Sequence, residues 1–103
     1  MKYVIGWIRI KPGQREDFLA QCGGFFETTR AEPGVLAFEF LPSLDDPDVV
    51  VAIESYISPE AHDTHRATPH FETFRALIKT YVLGGRFEAI VTDAVAKNEF
   101  GTF

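Results

Sequence analysis

Val49-Val50-Val51-Ala52-Ile53-Glu54-Ser55-Tyr56-Ile57-Ser58-Pro59-Glu60 is the stretch on which the fold turns. Residues 49–57 are mostly β-branched or aromatic, which predicts a strand. Successive side chains of a strand point to opposite faces, so Val49, Val51, Ile53 and Ile57 share one side and Val50, Ala52, Glu54 and Tyr56 the other. Both sides are largely apolar. Ser58-Pro59-Glu60 then reads as a helix N-cap, a first helical residue and a first-turn acid. A strand with two apolar faces therefore runs straight into a helix. Helices can cover one face, and the other exceeds what a soluble monomer usually leaves bare. The economical cover is the same face of a second copy, so the expected assembly is a homodimer.

Upstream, Pro42-Ser43-Leu44-Asp45-Asp46-Pro47-Asp48 is a polar turn preceded by the strand pattern Val35 to Leu41, which predicts an antiparallel hairpin. Glu32-Pro33-Gly34 ends the element before it, because Pro33 cannot continue helical hydrogen bonding and Gly34 accepts a tight turn. That element, Gln14 to Arg30, carries Phe18, Cys22, Phe25 and Thr29 at helical spacing. One amphipathic helix is expected, weakened by Gly23-Gly24. Tyr3 to Ile10 is the first strand, closed by Lys11-Pro12-Gly13.

Downstream, Thr68-Pro69-His70 repeats the helix-start signal, and Phe71, Phe74, Leu77, Ile78, Tyr81 and Val82 form the stripe of a further helix. Gly84-Gly85 is expected to stop it before a fourth strand from Phe87 to Val95. The order strand, helix, strand, strand, helix, strand defines a ferredoxin-like α+β fold with an antiparallel sheet. The 103 residues suffice for one domain, 1–103. Its last residues, 98–103, carry Phe100 and Phe103 and are expected to dock on the body or on the partner chain.

Composition narrows the function classes. The chain is 46% hydrophobic and 24% charged with ten Phe, an excess of large rings suited to a core, an interface or a pocket for planar ligands. Net charge is −5 without a Lys/Arg cluster, so neither nucleic acid nor an anionic membrane is an expected partner. Met1 to Ile5 enters the first strand without a signal segment, and no apolar run reaches the ~20 residues of a membrane span. A cytoplasmic location is expected. The single Cys22 reads as a buried thiol without chemistry.

All three histidines lie between Ala61 and Phe71, where proton transfer near neutrality would be sought first. His62 and His65 are three apart and share a helix side, which raises a two-His metal site, but no carboxylate or Cys spacing supports it and no metal ligand is assigned. His70 follows the Thr68 cap, where the helix N-terminus favours the neutral imidazole; a functional role and simple capping both fit. Glu39 and Glu54 stand among apolar strand residues, which suggests buried pairing with Arg9, Arg75 or a histidine. Trp7 and Tyr56 read as lying opposite the helix-facing side, as interface packing or as a pocket wall.

Glu32-Pro33-Gly34, Phe38-Glu39, Glu54-Ser55-Tyr56 and the segment from Ala61 to Phe71 with His65, Thr68, His70 and Phe71 together form a pattern that resembles the antibiotic biosynthesis monooxygenase superfamily, in particular its small quinol monooxygenases. The resemblance covers almost the whole chain and implies a dimeric α/β barrel. It implies oxidation of a quinol, anthrone or similar hydroxyarene by molecular oxygen without a cofactor, with a small aromatic ligand and oxygen as partners. His65 matches the family's histidine after the third strand and is the expected catalytic base. Its alternative is a structural residue bonded to Glu54 or to a backbone carbonyl. The expected substrate contacts are Trp7, Phe38, Glu54, Tyr56, His62, His70, Phe71 and Phe74. The alternative function is a small-molecule-binding or stress-response barrel without turnover, and a sugar isomerase is a third reading, since this scaffold does not fix a reaction. Haem-degrading relatives place an Asn on the first strand and a Trp near the histidine-bearing helix. Here the only Asn is Asn98 and the only Trp is Trp7, which argues against that chemistry.

Overall fold

The computed structural model describes residues 1–93. Four strands, β1 (Lys2–Ile10), β2 (Val35–Pro42), β3 (Val49–Tyr56) and β4 (Val82–Val91), form one antiparallel sheet in the order β2-β3-β1-β4. Four helices, α1 (Arg15–Gln21), α2 (Gly23–Arg30), α3 (Pro59–Arg66) and α4 (Pro69–Tyr81), complete the ferredoxin-like α+β architecture. The helix starts form as the cap signals require: the Ser58 hydroxyl accepts from the Ala61 amide at 3.1 Å and the Thr68 hydroxyl from the Phe71 amide at 3.2 Å. Each cap satisfies one of the amides that a first turn leaves without a helical partner. Among the described residues no helix is long and apolar enough to cross a membrane.

The helices lie on one sheet face. Val4, Ile8 and Ile10 of β1, Val50, Ala52, Glu54 and Tyr56 of β3, and Phe38 of β2 are buried beneath them. Phe18, Cys22 and Phe25 from α1, α2 and the turn between them join Phe74 of α4 in the same core. The excess of phenylalanine is spent here: Phe25 stacks on Phe74 with centroids 4.3 Å apart and 2° between planes, and meets Phe38 edge-on at 5.5 Å. Offset stacks and edge contacts of this kind add to the area term. Arg15 anchors α1 to the β2–β3 turn by donating to the carbonyls of Ser43, Asp46 and Val49.

The opposite face carries Tyr3, Ile5 and Trp7 of β1, Val49, Val51 and Ile53 of β3 and Leu41 of β2. Tyr3 is 40%, Ile5 39% and Ile53 41% exposed, so this face is apolar and left uncovered by the described residues.

Two element boundaries differ from expectation. The helix expected over 14–30 breaks at Cys22, whose amide is shared between the carbonyls of Phe18 and Leu19. Gly23 and Gly24 directly after it weaken helix continuation, and the break leaves both Cys22 and Phe25 buried. Gly84-Gly85 does not end α4; the helix stops at Tyr81 and both glycines lie within β4. The reason is close backbone approach, because a Cβ on Gly85 would stand 2.5 Å from the Trp7 carbonyl oxygen. The expected end of this strand at Val95 and the docking of residues 98–103 fall outside the described residues.

Candidate active site

Between the helix-facing side of the sheet and helices α3 and α4 lies a cleft of ≈ 570 Å³. The strand register grades it from one end to the other. Lys2 pairs with Tyr56, Val4 with Glu54 and Ala89, Gly6 with Ala52 and Phe87, and Ile8 with Val50 and Gly85. Moving along β1 from Lys2 to Ile8 thus passes from a polar end, walled by Lys2, Glu54, His62, His65 and Arg66, to an apolar end walled by Ile8, Phe40, Ile78 and Phe87. Phe38, Phe71 and Phe74 line the passage between them. A cleft of this size with an apolar body and a few convergent polar groups suits a small planar ligand with a polar edge.

His65 is 1% exposed, and its Nδ1 lies 2.7 Å from Oε2 of Glu32. The same oxygen lies 2.8 Å from Nε2 of His70. A carboxylate only accepts, so both rings donate to it: His65 through Nδ1–H and His70 through Nε2–H. This fixes the neutral His65 tautomer with an unprotonated Nε2, which has no hydrogen-bond partner among the described residues. Burial holds the His65 pKa below its ordinary 6.5, and the Glu32 hydrogen bond only partly opposes that. The ring packs among Phe38 (5.5 Å), Phe71 (5.1 Å) and Tyr56 (5.7 Å). The arrangement is an oriented, uncharged imidazole on the wall of an aromatic cleft.

His62 stacks over the Tyr56 ring at 4.5 Å. Burial, with the nearby positive charges of Lys2 and Arg66, pushes its pKa down to about 4, so it too is neutral near pH 7. Glu54 is 7% exposed; its Oε1 accepts the Tyr56 hydroxyl, and burial raises its pKa above the ordinary carboxylate value although that bond opposes the shift. The Tyr56 phenol is pushed up in turn by burial and by the Glu54 charge.

The expected contacts separate on this geometry. His65, His62, Phe38, Glu54, Phe71 and Phe74 line the cleft. His70 does not line it; its Nε2 lies 2.8 Å from the same Glu32 oxygen that His65 contacts. Tyr56 lies on the helix-facing side, contrary to expectation: it shares strand parity with Glu54 and is fully buried behind His62 and His65. Trp7 lies on the opposite face, where the Arg86 guanidinium sits 4.2 Å from its ring centre, so it does not wall this cleft. Glu39 is an exposed partner of Arg30 rather than a buried ion, and Arg9 and Arg75 pair with Asp46 and Glu72 rather than with Glu54. The partner of His65 is neither Glu54 nor a carbonyl but Glu32, which stands in the sequence as a helix stop and as part of the family pattern, with no site role expected of it.

Where His62 and His65 were considered as a metal pair, a different set converges. Glu32, His65 and His70 present ligand atoms within 4.8 Å of one another, the described groups best placed to hold a divalent cation. One carboxylate oxygen lies within hydrogen-bond distance of both rings.

The fold that carries this cleft is shared with known proteins. The family model described as antibiotic biosynthesis monooxygenase matches residues 1–77, and the chain belongs to that family. An uncharacterized protein of Synechocystis is 32% identical over 71 residues, 69% of this chain, which spans about half (48%) of that relative's length. A Mycobacterium tuberculosis protein named "Putative monooxygenase Rv0793" is 32% identical over 75 residues, 73% of each chain; its structure superposes with a TM-score of 0.80 over 93% of this chain and 98% of its own at 26% identity. A Nitrosomonas europaea structure titled as an antibiotic biosynthesis monooxygenase of putative function aligns with a TM-score of 0.82 over 91% of this chain and all of its own, at 24% identity, which shows the shared fold. Family membership supports a monooxygenase role in general terms.

Proposed function

We propose that the chain oxidises a small hydroxyarene such as a quinol or anthrone with molecular oxygen, without a cofactor, and that His65 is its base. The observation that carries this reading is the Glu32–His65 hydrogen bond, which leaves Nε2 as a lone-pair nitrogen on the wall of an aromatic cleft. Removing a phenolic or benzylic proton leaves an electron-rich anion able to pass an electron to oxygen. For an anthrone the balance closes without another reductant: one methylene and one O₂ enter, one ketone and one water leave. Glu32 orients the ring and stabilises the imidazolium that forms, as a buried carboxylate does in hydrolytic triads. A homodimer through this sheet face belongs to the same reading, because the described residues leave Tyr3, Ile5 and Ile53 there uncovered.

The test is oxygen uptake with anthrone and a panel of quinols, with metals chelated. The expected result is uptake by the native protein and a loss of about 10²-fold or more in His65→Ala with the fold retained. Ligand retention without uptake for any hydroxyarene would leave the binding-protein alternative and refute the oxygenase.

A further inference from the structure

The mechanism above gives the cleft a base but assigns nothing to take up the negative charge that proton removal pushes onto the substrate. Lys2 and Arg66 stand at the same end of the cleft as charges, and among the described residues Glu54 is the one carboxyl on its wall able to hand a proton to the substrate oxygen. It stands on β3 directly across from Val4 of β1 and Phe38 of β2, beneath the helices, and only 7% of it is exposed. Its Oε1 is held by the Tyr56 hydroxyl, while Oε2 has no hydrogen-bond partner among the described residues, although Glu54 lines the cleft. Tyr56 also bridges the two functional groups, since the ring whose hydroxyl fixes Glu54 packs 5.7 Å from His65. Base and carboxyl are thereby held at one end of one cavity, with the aromatic walls running away from both.

We propose that Glu54 is the catalytic acid of this cleft: a protonated carboxyl whose Oε2–H donates to the substrate oxygen while His65 Nε2 removes the substrate's C–H proton. The proposal rests on the oxygenase reading and adds a residue to it. In the step, the C–H bond breaks toward His65 and its electron pair forms the enol double bond. The carbonyl oxygen gains the Glu54 proton, giving a neutral enol, an imidazolium and a carboxylate; return of the enol O–H proton to the Glu54 carboxylate then gives the electron-rich anion that oxygen oxidises. No oxidant is consumed, so the step runs before oxygen is needed. Tyr56 on its own strand donates to Oε1, and Lys2 of β1 and Arg66 of α3 are positive; these three favour the carboxylate that the step leaves behind, while His62 of α3 is neutral near pH 7. Burial favours the protonated form over the anion.

The step can be read apart from oxygenation, as deuterium exchange into the methylene of anthrone in D₂O under strict anaerobiosis, followed by proton NMR. The native protein is expected to catalyse exchange with a rate that rises and then falls with pH, because the step needs His65 unprotonated and Glu54 protonated at once. Glu54→Gln, which fills the same space without a transferable proton, is expected to slow exchange by about 10²-fold and to abolish the alkaline fall. If Glu54→Gln does not fold, Glu54→Asp, which withdraws the acid by one methylene while keeping its titration, is expected to slow exchange and retain the alkaline fall. A variant exchanging within twofold of the native rate with an unchanged pH profile overturns the assignment while native oxygen uptake keeps the oxygenase reading intact. Neither exchange nor uptake by the native protein refutes both together.

Discussion

Glu32 is the residue on which the site depends most and the one hardest to find from its surroundings in the chain. It lies 33 residues before His65 and 38 before His70, yet one of its oxygens serves both rings. Replacing it with Gln keeps the volume but offers the two rings an amide, whose NH₂ group favours the wrong His65 tautomer. The expected consequence is a fall in kcat on the order of 10²–10⁴-fold with a smaller change in KM, as when a triad carboxylate is neutralised. Steady-state oxygen uptake together with a urea melt separates this from unfolding, and an unchanged kcat in a folded Glu32→Gln would remove Glu32 from the mechanism. His65 itself was visible because it falls in a family pattern on a capped helix. Its partner was not, because pairing across the α2–β2 turn and the α3–α4 junction leaves no periodic trace. The misplacement of Tyr56 has a different cause. Strand parity groups it with Glu54, and which of the two faces the helices cover is a matter of packing that parity does not state.

The elements were legible wherever local chemistry decides. Ser58-Pro59 and Thr68-Pro69 start α3 and α4 because a side-chain oxygen and a fixed φ satisfy the first turn wherever the helix later packs. The paired glycines were not, because glycine serves a helix end, a helix interior and a strand contact alike. The structure separates the two pairs by space. Gly24 has nothing within 4 Å of an added Cβ, so Gly24→Ala is expected to stabilise the protein by roughly 0.5–1 kcal/mol through helix propensity and loss of unfolded-state freedom. Gly85 meets the Trp7 carbonyl at 2.5 Å, so Gly85→Ala must displace β4 from β1 and is expected to cost about 1–3 kcal/mol. Chemical denaturation of the two variants checks both signs, and equal effects would contradict the assignment of Gly85 to a close strand contact.

At the scale of the whole molecule the sheet has one face spent on the helices and one left apolar. If that second face is the homodimer contact, a charge at its middle should separate the copies without harming the core beneath the helices. Ile53→Glu is expected to shift light scattering from roughly twice 11.6 kDa to 11.6 kDa at micromolar concentration with the far-UV spectrum unchanged. A native protein that scatters as a monomer throughout this range would contradict the covered-face argument. The alternation of residues 49–57, the turn at Pro42–Asp48 and the two capped helices determined by themselves the order of elements and the antiparallel hairpin, because strand parity and caps are local properties of the chain. Only the tertiary structure decided which face the helices took, that Tyr56 lies beneath them, and that Glu32, His65, Tyr56 and Glu54 meet at one end of a cleft. Those are contacts between distant segments, fixed by packing after the local elements exist, and no spacing along the chain encodes them.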